Sequence, residues 1–196
     1  MMTLNHRQIG KTVFSAISKS HVVKLDEKSL TYGCIKPDLV PRLRAIPHYK
    51  EKSSDFVNEI FEEMRNQELP KCDKEIKMFS INLGVIMHYI ADFFCYAHNC
   101  RAYAPILPHF IYENNLALIF AFSDLDKICM DAIYSIKEQH IQSKEWLREY
   151  LDGKHDEYMC SRRNMTTDVR FSIEACITVA LVIVASCMGR NEEVAA

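Results

Sequence analysis

The chain has 196 residues, enough for one domain with a substantial core, and its 48% hydrophobic and 26% charged residues exclude a disordered polymer. Five glycines and six prolines are few for this length, which favours long helices over many short strands. A net charge of -2, with no long Lys/Arg run, gives no electrostatic footprint for duplex nucleic acid.

Residues 1–7 contain no apolar segment followed by a small-residue cleavage site, so cytoplasmic residence is the expectation. A first helix is predicted over residues 5–17, with Asn5 as its N-cap and Ile9, Val13, Phe14 and Ile17 on its apolar face. Residues 29–49 carry Gly33, Pro37, Pro41 and Pro47 and predict a folded loop. A second helix is expected over 54–68, with Phe56, Val57, Ile60, Phe61 and Met64 on one side. Residues 76–99 predict a long helix that is apolar nearly all round, and such a helix is central and buried. Another long helix is expected over 108–139, then shorter ones near 143–151 and 166–188. The reading is an all-α, single-domain multi-helix bundle over residues 1–196, roughly 60–70% helix. Residues 175–185 are the most apolar stretch, but shorter than the ~20 residues of a membrane span, so a buried core helix is expected there. The eight cysteines form no Cys-x-x-Cys pair and predict reduced, mostly buried thiols.

Chemistry concentrates in the central stretch, Met87-His88-Tyr89-Ile90-Ala91-Asp92-Phe93-Phe94-Cys95-Tyr96-Ala97-His98-Asn99. His88 and Asp92 are four apart and project from one helical face. On a continuous helix His98 would sit roughly 80° around from His88, facing the same broad groove. The next helix opens with Pro108-His109-Phe110-Ile111-Tyr112-Glu113, which repeats the spacing with His109 and Glu113. Zinc takes imidazole nitrogen and carboxylate oxygen readily, so two such pairs on neighbouring helices predict a metal centre. The ordered string of His88, Asp92 and His98 has a chance rate on the order of a few per cent in this composition.

This string, followed by His109 and Glu113, resembles the metal-binding core of the bacterial zinc-dependent phospholipases C. Gly33-Cys34-Ile35-Lys36-Pro37-Asp38, then Pro47-His48-Tyr49, resembles the family's Pro-Asp loop and its following histidine, and His6 matches its early histidine. The resemblance implies three neighbouring zinc sites, with two to three Zn2+ per chain. Asp38, His48, His88 and Asp92 would hold one ion. His98, His109 and Glu113 would hold a second. His6 would hold a third, sharing Asp92; in that family the amino-terminal residue also coordinates this ion. The implied activity is phosphodiester hydrolysis, converting phospholipid to diacylglycerol and a phosphorylated head group, with peripheral membrane contact as a corollary.

Asp38 is the expected proton acceptor. Tyr49, Phe93, Tyr96 and Tyr112 are candidates for a substrate pocket, or else core residues. His21, His140 and His155 lie in polar surroundings and are expected at the surface. Two other readings fit the same residues. A single-strand nuclease-like phosphodiesterase would offer a cationic, aromatic groove. A non-catalytic helical protein would use zinc to staple its helices. A di-iron bundle is a third reading, disfavoured by the absence of any Glu-x-x-His, and His-Glu-x-x-His and the P-loop are also absent.

Overall fold

Helix takes up 83% of the described residues, more than the sequence pattern predicts. The computed structural model describes residues 1–20, 23–100, 105–136 and 145–195. Ten helices and no strand occur among the described residues. His21 and His140 lie outside them.

α1 (Thr3–Ser20) buries Ile9, Val13, Ala16 and Ile17 completely. Asn5 is not its cap; it lies inside the helix and is fully buried. The proline-rich segment is the main correction. It is helical twice over, as α2 (Glu27–Leu39) and α3 (Pro41–Arg44). Asp26 caps α2 by accepting from the Ser29 N–H at 2.8 Å. Pro37 sits in the last turn, where its missing N–H costs one backbone bond, to the Gly33 carbonyl, and Pro41 occupies the first position of α3. Tertiary contact then fixes α2 as a helix, because its backbone lies directly on that of α5 (Asp73–Phe93). At the crossing Gly33 faces Gly84, and a Cβ on Gly84 would stand 2.3 Å from the Leu30 carbonyl oxygen. No side chain fits between these helices.

α4 (Lys50–Arg65) begins four residues earlier than its apolar pattern suggests. α5 is the predicted central helix, buried continuously from Leu83 to Phe93. It does not run on to His98. The N–H groups of Phe94 and Cys95 turn back to the carbonyls of Ala91 and Asp92, both at 3.1 Å, which tightens and ends the helix. His98 therefore lies on a separate short helix, α6 (Tyr96–Asn99).

The predicted second long helix is likewise two, α7 (Ile106–Phe122) and α8 (Leu125–Ile136). Asp124 divides them, accepting from the Lys127 N–H at 3.0 Å. α9 (Trp146–Cys160) carries His155, which is buried rather than at the surface. Its Nε2 pairs with Asn99 Oδ1 at 3.0 Å, and its ring packs near Phe94 and Tyr158. α10 (Met165–Ala195) passes through the core with Val169, Phe171, Ile173 and residues 175–184 buried. Its residues Met165–Gly189 are long and apolar enough to cross a membrane, yet 78% of its apolar 18-residue window is buried within the protein. None of the eight cysteines forms a disulfide, and five are buried.

Candidate metal centre

The end of α5, the turn into α6 and the starts of α1 and α7 converge, and the connection after α3 closes over them. His88 and Asp92, one turn apart on α5, form the floor and are fully buried. The Nδ1–H of His88 donates to the Cys34 carbonyl at 2.8 Å, so Nε2 carries the free lone pair that a metal requires. This carbonyl belongs to α2, so the Gly33–Gly84 contact sets the orientation of the imidazole. Around His88 Nε2 stand His48 Nδ1 at 3.3 Å, Asp92 Oδ2 at 3.4 Å and Asp38 Oδ1 at 3.8 Å. The His6 ring stacks on that of His88 at 3.9 Å, and its Nε2 reaches to 3.5 Å from Asp92 Oδ1.

A second group stands beside it. Glu113 Oε1 lies 3.1 Å from His98 Nε2 and 2.8 Å from His109 Nε2. Asp92 joins the two groups, with Oδ1 3.7 Å from His98 Nε2 and Oδ2 2.9 Å from His48 Nδ1. All eight residues singled out by the sequence are thus brought together, on five helices and the connection that carries His48. The fit to metal is testable on their own atoms. Both ring nitrogens of His6, Nε2 of His48 and Oδ2 of Asp92 are buried and make no hydrogen bond. Orphaned buried acceptors are rare, and bound cations would satisfy one ring nitrogen of His6, Nε2 of His48 and Oδ2 of Asp92. The α-amino group of Met1 already lies among them as a cation would, 2.5 Å from Asp92 Oδ1 and 3.0 Å from Glu113 Oε1.

Charge is arranged accordingly. Burial works against ionising Asp92, but the Met1 amino group, His98 and His6 outweigh it and hold its carboxyl well below the usual range. Burial likewise opposes ionisation of Glu113, but His98 and the Met1 amino group bring it down to about 2. Burial pushes His88 well below, and His98 below, the ordinary imidazole value, so both are neutral and able to ligate. Asp38 is raised by burial and is the most open carboxylate, 31% exposed.

Of the aromatic candidates only Tyr49 faces the cluster, its ring 6.0 Å from His98. Phe93 is core. The Tyr112 hydroxyl points away, donating to Asp168 at 2.8 Å, and the Tyr96 hydroxyl accepts from Arg163. A cleft of about 370 Å³ lined by Gln67, Leu69, Met78 and Phe79 lies toward the opposite end of α5, with Phe79 about 14 Å from His88 by helical rise, and is not the site.

Sequence reasoning missed Asp168. It is buried on α10 and accepts from the Tyr96 N–H at 2.9 Å and from the Tyr112 and Tyr158 hydroxyls at 2.8 Å. It thereby ties α6 and α7, which carry His98, His109 and Glu113, to the core. A lone acid opening the most apolar helix is the signal that could have found it. Burial pushes its carboxyl up to about 6, despite the three hydrogen bonds. Because the folded value exceeds the unfolded 3.8, the folded state binds more protons between the two. Stability from this group is complete below pH 4 and falls by about 3 kcal/mol as pH rises to 6. Denaturant unfolding of the Asp168→Asn variant from pH 4 to 7 is expected to lack this decline, and profiles parallel to wild type would contradict the assignment.

A family model described as zinc dependent phospholipase C matches residues 5–164. Neither a curated protein nor a solved structure matches the chain.

Proposed function

The chain belongs to the zinc-dependent phospholipase C family, and from that premise we propose that it hydrolyses the phosphodiester of a phospholipid to diacylglycerol and a phosphorylated head group. One observation carries this reading: eight histidine and carboxylate side chains converge, with one wall open. His6, His88 and Asp92 are fully enclosed, whereas His48, His109 and Asp38 are 17%, 27% and 31% exposed. An open side supports a catalytic centre over a closed structural one.

Asp38, His48, His88 and Asp92 would hold one zinc, His98, His109 and Glu113 a second, and His6 with Asp92 a third. Zinc, when bound, supplies neutralisation of phosphoryl charge and acidifies water. The chain's own part is positional. Asp92 is shared between the groups and fixes their separation. The Cys34 carbonyl locks the His88 ring. In the reaction, water oxygen bonds to phosphorus as the bond from phosphorus to the glycerol oxygen breaks. Asp38 accepts the water proton, a role that its partial exposure and raised proton affinity support, and the proton ends on the departing alkoxide.

The outer face of α7 supports a lipid substrate. Ile106 and Phe122 are 88% exposed, and Leu107, Phe110, Ile111 and Leu118 more than half exposed. The one charged residue of this helix, Glu113, faces inward to the site. Such a patch marks an interaction surface, and a bilayer is its proposed partner because the same helix carries His109 and Glu113. Zinc-loaded protein is expected to hydrolyse phosphatidylcholine vesicles, to lose activity with chelator and regain it with zinc. Activity that persists after zinc is gone refutes the reading, as does hydrolysis of single-stranded DNA but not of lipid. The double variant Leu107→Ser/Ile111→Ser should lose at least about tenfold on vesicles, but not on a soluble phosphodiester. An equal loss on both would argue against the bilayer contact.

A further inference from the structure

The family resemblance supplies only nitrogen and oxygen ligands. Cys95 adds a sulfur. Its place is set by the same turn that ends α5: its N–H bonds the Asp92 carbonyl at 3.1 Å and its own carbonyl accepts from the His98 N–H at 3.0 Å. The residue is thus pinned by its backbone between two metal-site residues. Its side chain is fully buried. Sγ, an imidazole nitrogen of His98 and a carboxylate oxygen of Glu113 all lie within 4.8 Å of one another.

Other buried thiols show what a purely structural cysteine does here. Cys176 donates to the Met87 carbonyl at 3.4 Å and Cys187 to the Met64 carbonyl at 3.2 Å. Cys95 has no such acceptor among the described residues, and its neighbours are the donors of the second metal group. Tetrahedral zinc with bonds of about 2.0–2.3 Å holds its ligands about 3.5 Å apart, so the three donors need contract by only about 1 Å.

We infer that Cys95 Sγ is a ligand of the metal held by His98 and Glu113. The inference rests on the metal-centre reading above. Binding breaks the S–H bond, releases the proton to solvent and forms a metal–thiolate bond. With His109, the second site then offers one sulfur, two nitrogens and one oxygen. A thiolate favours zinc and cobalt over magnesium, calcium and manganese. It also fills the second site from the protein side and leaves the position beside Asp38 as the more open one.

The test is X-ray absorption at the zinc edge on the zinc-loaded protein, with the near-ultraviolet spectrum of its Co(II) form as a second readout. The expected result is a sulfur neighbour at about 2.3 Å and a sulfur-to-cobalt charge-transfer band. Both are expected to vanish in Cys95→Ser, a nearly isosteric change, and affinity for one metal equivalent to fall at least about 100-fold while the rest stay bound. A full metal complement with no sulfur neighbour overturns the inference and leaves the metal centre standing. A sulfur signal that survives in Cys95→Ser overturns it in favour of another thiol. Absence of bound metal overturns both.

Discussion

Replacing Asp92 by asparagine is expected to empty the metal centre and lower phosphodiesterase activity at least about a thousandfold. The residue is fully buried and stands at the junction of the two donor groups. Oδ1 faces the Met1 amino group, His6 and His98, and Oδ2 faces His48 and His88, all within 3.7 Å. Asparagine keeps the shape, removes the negative charge and turns one ligating oxygen into an N–H donor that repels a cation. Since bound metal supplies several kcal/mol of transition-state stabilisation, its loss accounts for the size of the effect. Elemental analysis and turnover on the same preparation check it. A variant with the full zinc complement and near-wild-type turnover would remove Asp92 from its central place.

Gly84→Ala is expected to cost about 3 kcal/mol or more of stability and to weaken metal binding with it. The added Cβ would stand 2.3 Å from the Leu30 carbonyl oxygen, 2.6 Å from the Cys34 nitrogen and 2.7 Å from the Gly33 Cα. These are backbone atoms, so the two helices must separate, and overpacking relieved only by backbone movement lies at the upper end of the usual 1–3 kcal/mol range, about 3 kcal/mol or beyond. The movement also pulls the Cys34 carbonyl from His88 and shifts Asp38, so the fold and the site fail together. Gly153→Ala is the control, because a Cβ there meets nothing within 4 Å. On α9 that substitution should stabilise by up to about 1 kcal/mol. Denaturant unfolding of both variants decides the matter. A Gly84→Ala protein as stable as wild type would show that the α2–α5 crossing has slack.

What could be read from the sequence follows from range. The i,i+4 spacing of His88 with Asp92, and of His109 with Glu113, is local helix geometry and needs no tertiary information. The apolar run of α5 marks it as central for the same reason. The misreadings are all places where a distant contact decides. Pro37 argues against helix, yet α2 forms because Gly33 lets it lie on α5. Nothing in Phe93-Phe94-Cys95 announces a break, which the packing of Phe94 against His155, Tyr158 and Phe171 stabilises. His98 reaches the site because of that break. His155 looks polar in sequence, yet residues far away in the chain cover it, Asn99 and Phe94 among them. The Ser123-Asp124 pair was a legible cap between α7 and α8, overshadowed by the apolar residues on either side.

α10 lies outside the family match, which ends at residue 164. It nevertheless supplies Asp168, through which the walls carrying His98 and Glu113 are held, and the buried Phe171 beneath the α5–α6 turn. The candidate metal centre is therefore braced by an element beyond the matched segment.

Anomalous scattering at the zinc edge from crystals of the zinc-loaded protein decides whether the cluster holds zinc. The expected result is roughly two to three peaks inside the cluster, each about 2.0–2.3 Å from donors among His6, Asp38, His48, His88, Asp92, His98, His109 and Glu113. Zinc found only on the outer surface, with these side chains paired solely to one another, would contradict it.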